Sequence, residues 1–100
     1  MQNALISKID GRLQVVLVED CDFKLFYDIV AYAERELNIS FKNKVDDIDS
    51  LYFDFEYEQV EFTLSYHVYF GVRLVSVSNE SERTEGIMKR ITGELLKMFA

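Results

Sequence analysis

One hundred residues make one domain, long enough for a single hydrophobic core and too short for two. Apolar residues at 49%, charged residues at 29%, eight Phe, six Tyr and no Trp or Pro describe a globular chain whose core rests on Phe and Tyr. A net charge of −7 argues against nucleic acid as a ligand, because phosphate neutralisation needs clustered Lys and Arg, and directs long-range attraction toward basic proteins.

Two short apolar-rich runs, Ala4 to Ile9 and Leu13 to Val18, flank Asp10-Gly11-Arg12. Asp-Gly between such runs is a strong hairpin signal. The second run, LQVVLV, is nearly continuous and belongs inside a sheet or under cover on both faces. Glu19-Asp20-Cys21-Asp22 breaks the pattern and offers N-cap carboxylates. Cys21 stands alone, so no intrachain disulfide and no Cys-based metal site can form, which fits a reducing compartment. No leader-like segment and no apolar run of membrane-spanning length appears, so a cytoplasmic protein without membrane contact is expected.

Phe23, Phe26, Val30, Ala33 and Leu37 recur at helical spacing, widened by Leu25, Ile29 and Tyr32. This predicts a helix from about Phe23 to Leu37 on the sheet, ended by Asn38. Residues 39–50 carry no short period, and Asp46, Asp47 and Asp49 read as a solvated acidic loop or as a protein-recognition element. A calcium loop fails there, since Leu51 and Tyr52 occupy the offsets of the third oxygen ligand and the Gly.

From Leu51 to Val77 apolar and polar residues alternate with a period of two. A turn at Glu58-Gln59 sets Tyr57 against Val60, Phe55 against Phe62, Phe53 against Leu64 and Leu51 against Tyr66, although Glu-Gln is not favoured turn chemistry. A connection around His67-Val68-Tyr69 then pairs Tyr66 with Phe70, Leu64 with Val72 and Phe62 with Leu74. On the other face Glu56 meets Glu61, with Asp54 beside them and Arg73 diagonal to Glu61. These acids are either a solvated surface or a patch for a cationic partner.

After Val77 a polar stretch with Asn79 and Glu82 at capping-box spacing opens a last helix, with Glu80 and Glu85 also suiting its N-terminus. Ile87, Met88, Ile91, Leu95 and Met98 form its apolar stripe, and Gly86 and Gly93 weaken it while allowing close approach to the sheet. The expected fold is α+β over residues 1–100: an antiparallel sheet of about five strands with two helices on one face, in the order ββαβββα.

No catalytic constellation emerges. The acids beside Cys21 raise its thiol pKa, which is the wrong direction for a nucleophile. His67 has no second His for a metal site, the carboxylates Asp54, Glu56 and Glu61 have no evident pocket, and no Gly-rich phosphate loop is present. We therefore expect neither enzyme activity nor a cofactor or metal.

The run Glu61 to Val75, EFTLSYHVYFGVRLV, places Phe62, Leu64, Tyr66, Gly71, Val72 and Leu74 in the pattern F-x-L-x-Y, a few residues, then G-[IV]-x-[IL]. Over these fifteen residues the chain resembles small acidic immunity proteins of bacterial contact-dependent growth inhibition and related polymorphic toxin systems. The resemblance implies a cytosolic antitoxin that binds a basic toxin domain, often a nuclease, and blocks its active site. From the residues themselves, the partner-binding set is Asp46, Asp47, Asp49, Tyr52, Asp54, Glu56, Glu61 and Tyr69, with acids steering encounter and Tyr anchoring contact. The chain itself is expected to be a monomer or weak homodimer. Two other readings stand beside this one: a homodimeric structural or adaptor module, and a small-molecule-binding α+β enzyme, which requires a sizeable cavity with convergent polar groups.

Overall fold

The computed structural model describes residues 6–9, 11–77 and 82–99. Six strands form one antiparallel sheet in the order β1-β2-β6-β5-β4-β3. They are β1 (Ile6–Ile9), β2 (Arg12–Val18), β3 (Lys42–Asp46), β4 (Ser50–Tyr57), β5 (Val60–His67) and β6 (Gly71–Ser76). Helix α1 (Phe23–Glu36) follows β2, and helix α2 (Glu82–Leu96) follows β6. The α+β class and both helices agree with the sequence reading, and the sheet has one strand more than the expected five.

The extra strand is β3, within the stretch read as a loop. All five of its residues are exposed, and the pairing to β4 is interrupted by a bulge where Asn43 has φ of 49°. A strand that buries no side chain leaves no alternation to read. The segment is anchored just before it by Phe41, whose ring meets Phe53 and Phe55 edge-on at 5.9 and 5.3 Å.

Register between β4 and β5 follows the apolar alternation residue for residue, from Leu51↔Tyr66 to Tyr57↔Val60. The turn itself carries Glu58 and Gln59 at φ of 52° and 69°, the left-handed pair that a two-residue hairpin requires and that neither side chain favours. Glu58 is held there from α2: Arg83 donates to its carbonyl, and Arg90 lies 2.6 Å from its carboxylate.

Between β5 and β6 the expected register is corrected by two residues. Tyr66 pairs with Val72, Leu64 with Leu74 and Phe62 with Ser76. A slip of two leaves every side chain on its own face, so alternation cannot detect it. The deciding residue is Gly71, whose φ of +76° closes a three-residue loop, Val68 to Phe70. Arg73 consequently faces Ser65 and is not diagonal to Glu61.

Leu13, Val15 and Leu17 of β2, Leu51, Phe53 and Phe55 of β4, Phe62 and Leu64 of β5 and Leu74 of β6 form the buried face. Onto it pack Phe26, Ile29, Val30 and Ala33 of α1 and Ile87, Met88, Ile91 and Leu95 of α2. Phe26 meets Phe53 edge-on at 5.2 Å, while α2 lies over β2 and β6. Asp22 caps α1 by accepting from the Leu25 amide at 2.8 Å, and Asn38, at φ of 58°, turns the chain out of it. The capping role expected of Asn79, and the placing of Glu80, lie outside the described residues.

Gly86 and Gly93 correct a second expectation. Both are exposed, and a Cβ built on either meets nothing within 4 Å, so neither serves close packing. Gly86→Ala and Gly93→Ala should each stabilise the protein by about 1 kcal/mol from helix propensity alone. Urea denaturation would measure this, and a loss of stability in either variant would contradict the open placement.

Candidate functional site

Three connections meet at one end of the sheet. The β2–α1 link supplies Glu19, Asp20 and Asp22; the β3–β4 link supplies Asp46, Asp47, Ile48 and Asp49; the β5–β6 loop supplies Val68, Tyr69 and Phe70. The amide of Val68 donates to the carbonyl of Asp49 at 3.1 Å, which fastens the last two links together. The first link is tied in by Gly71, whose Cα approaches the Val18 and Glu19 carbonyls closely, and by the Tyr66 hydroxyl, which donates to the Cys21 carbonyl at 3.1 Å.

Local chemistry shapes each loop. Asp47 and Ser50 close a tight turn through a 2.8 Å amide-to-carbonyl bond, which throws Ile48 to its apex, 92% exposed. In the β5–β6 loop the Phe70 amide donates to the His67 carbonyl and the Tyr69 amide to His67 Nδ1, both at 3.1 Å. Tyr69 is 80% exposed and Phe70 59%. Ile48, Val68, Tyr69 and Phe70 thus form an exposed apolar tip on two hydrogen-bonded loops. Such turns ordinarily favour Gly, Asn, Asp and Ser.

The same three connections carry six carboxylates: Glu19, Asp20, Asp22, Asp46, Asp47 and Asp49. Among the described residues none of them is in an ion pair; the ion-paired carboxylates are Asp28, Glu36, Glu58, Glu61, Glu85 and Glu94. The arrangement combines an unneutralised negative field with apolar side chains that gain about 1.5–3 kcal/mol each when a partner covers them fully.

Cys21 lies beside this end, and its thiol is pushed up to about 11 by burial first and then by the Asp22 and Asp20 charges. Its reactivity is suppressed, as the neighbouring acids suggested. Because the folded state disfavours the thiolate, the stability this contributes is present below pH 9.0 and is lost as pH rises toward 11. Alkylation by iodoacetamide should run about a hundredfold slower at pH 8 than for an unperturbed thiol, with a half-maximal rate near pH 11. A half-maximum near 9.0 would remove burial and Asp22 as controls on this group.

The eight residues proposed from sequence separate into three places. Asp46, Asp47, Asp49 and Tyr69 belong to the end just described. Tyr52 and Asp54 stand on the open face of the sheet, in the wall of a concavity of about 610 Å³. Glu56 and Glu61 face each other across β4 and β5, below that concavity. There Lys42 reaches across β4 to sit 3.1 Å from Glu61, taking the place expected of Arg73, while Thr63 donates to Asp54 at 2.6 Å. The open face is therefore partly neutralised.

Sequence reasoning missed Ile48, Val68, Phe70, Glu19, Asp20 and Asp22 as members of the site. The available signal was apolar residues at turn positions, Ile48 between two Asp and Phe70 just before Gly71. Among the described residues no group of three His, Cys, Asp or Glu is placed to hold a metal ion, and no helix is long and apolar enough to cross a membrane. No family model, curated protein or solved structure matches this chain.

Proposed function

We propose that the chain is an immunity-type protein that binds a cognate basic toxin domain, a nuclease being one candidate, and neutralises it by covering its active site. The observation that carries this reading is the acidic end of the sheet, where six carboxylates, none in an ion pair among the described residues, share three connections with the exposed Ile48, Val68, Tyr69 and Phe70. The carboxylates speed encounter with a cationic surface, and the apolar tip supplies the contacts that hold the complex. The fifteen-residue resemblance over Glu61 to Val75 points the same way.

The adaptor reading is dimerisation through a strand edge or an apolar patch; the acids carried beside the apolar tip would repel their copies in a second chain, and the edge draws less support too. Edge strand β3 carries Lys42, Lys44 and a bulge, all of which oppose further strand addition. Expression of the polypeptide encoded immediately upstream of this chain, alone and together with it, tests the proposal. Growth arrest that this chain relieves, with a stoichiometric complex of nanomolar affinity on the order of other steered inhibitor pairs, is the expected result. Growth arrest without rescue, or no complex, would overturn it.

A further inference from the structure

The concavity on the open face has a composition unlike the rest of this acidic protein. Arg73 lies on β6, between β2 and β5 and so near the middle of the sheet, with Arg12 also in the wall. Arg73 is half-buried and makes no ion pair among the described residues. Its guanidinium reaches only Gln14 Oε1, at 3.5 Å, and the Phe70 ring, at 6.0 Å, and its Nε is buried without an acceptor. A partly desolvated guanidinium left without a carboxylate is costly, and its planar fork matches carboxylate geometry.

Charge decides what kind of anion fits. Among the described residues lining the cavity, two arginines stand against one carboxylate, Asp54, which leaves one net positive charge (2 − 1 = 1) within a chain of net −7. A monoanion balances that charge, whereas a dianionic phosphate exceeds it and meets Asp54. Asp54 accepts from Thr63 at 2.6 Å and makes no ion pair with Arg73 among the described residues. The apolar part of the wall, Ile9, Val75 and Val77, suits a hydrocarbon body, and about 610 Å³ lies within the range of small-molecule sites.

We propose that this concavity is a binding site for a small organic monocarboxylate, with the carboxylate on Arg73 and Arg12 and its apolar body against Val75 and Ile9. The site adjoins the acidic end through Phe70, but its ligand and its test are independent of the toxin-binding reading. It lies on the face of the sheet away from the helices.

The test is a titration of the isotopically labelled chain with benzoate and with hexanoate, following the Arg73 Nε–H and the Gln14, Thr63 and Ser65 amides by NMR. Saturable shifts at these groups by about 10 mM are expected, with benzamide and inorganic phosphate at least tenfold weaker. Arg73→Gln should weaken benzoate binding at least tenfold with the amide fingerprint retained. Should that variant not fold, Arg12→Gln, at an exposed position, should weaken it severalfold. No saturable shift with either acid, equal binding of benzamide or phosphate, or unchanged affinity in the folded variant would each overturn the proposal.

Discussion

Gly71→Ala is expected to destabilise the protein by about 2–5 kcal/mol, against a total of about 5–15 kcal/mol for a domain of this kind. Two effects add. An L-residue at φ of +76° costs about 1–2 kcal/mol. In addition, the new Cβ would lie 1.9 Å from the Val18 carbonyl oxygen and 2.7 Å from that of Glu19, both backbone atoms with no rotamer to yield. Forcing such atoms apart costs about a further 1–3 kcal/mol. Gly11 separates the two effects, since its φ is +77° and a Cβ there meets nothing within 4 Å. Gly11→Ala should therefore show only the conformational cost. Chemical denaturation of both variants measures the difference, and equal losses would show that the close approach of β6 to the end of β2 carries no weight.

The largest functional effect is expected at the acidic end. If the proposed toxin domain is the partner, reversing Asp46, Asp47 and Asp49 together to Lys should slow association with it by tenfold or more at low salt, and the effect should shrink as salt rises. The same triple change at Asp54, Glu56 and Glu61 should do less, because Lys42 already answers Glu61. Ile48→Ala combined with Tyr69→Ala should instead raise the dissociation rate, since truncating apolar anchors acts after encounter. Stopped-flow and surface-binding kinetics distinguish these outcomes. If the open-face triple slowed association more than the loop triple, the binding surface would lie on strands β4 and β5.

The chain disclosed its architecture wherever one face of an element is buried. From Leu51 to Tyr66 each apolar residue is matched to an apolar partner, so β4 and β5 could be registered by inspection. Asp22 and the stripe from Phe26 to Ala33 gave α1 its limits in the same way. Legibility failed where burial says nothing. Strand β3 is exposed throughout, and the two-residue slip at β6 moves no side chain across the sheet. The candidate site was only half visible for a related reason. Asp20, Asp49 and Tyr69 come to one end of the sheet on separate connections, and each taken alone is an ordinary loop residue.

The corner at Glu58 joins parts of the chain far apart in sequence. Its contacts come from Arg83 and Arg90 of α2, so the bend between β4 and β5 and the helix brace one another. Arg90→Gln should therefore shift the backbone resonances of Glu58 and Gln59 as well as those of the helix.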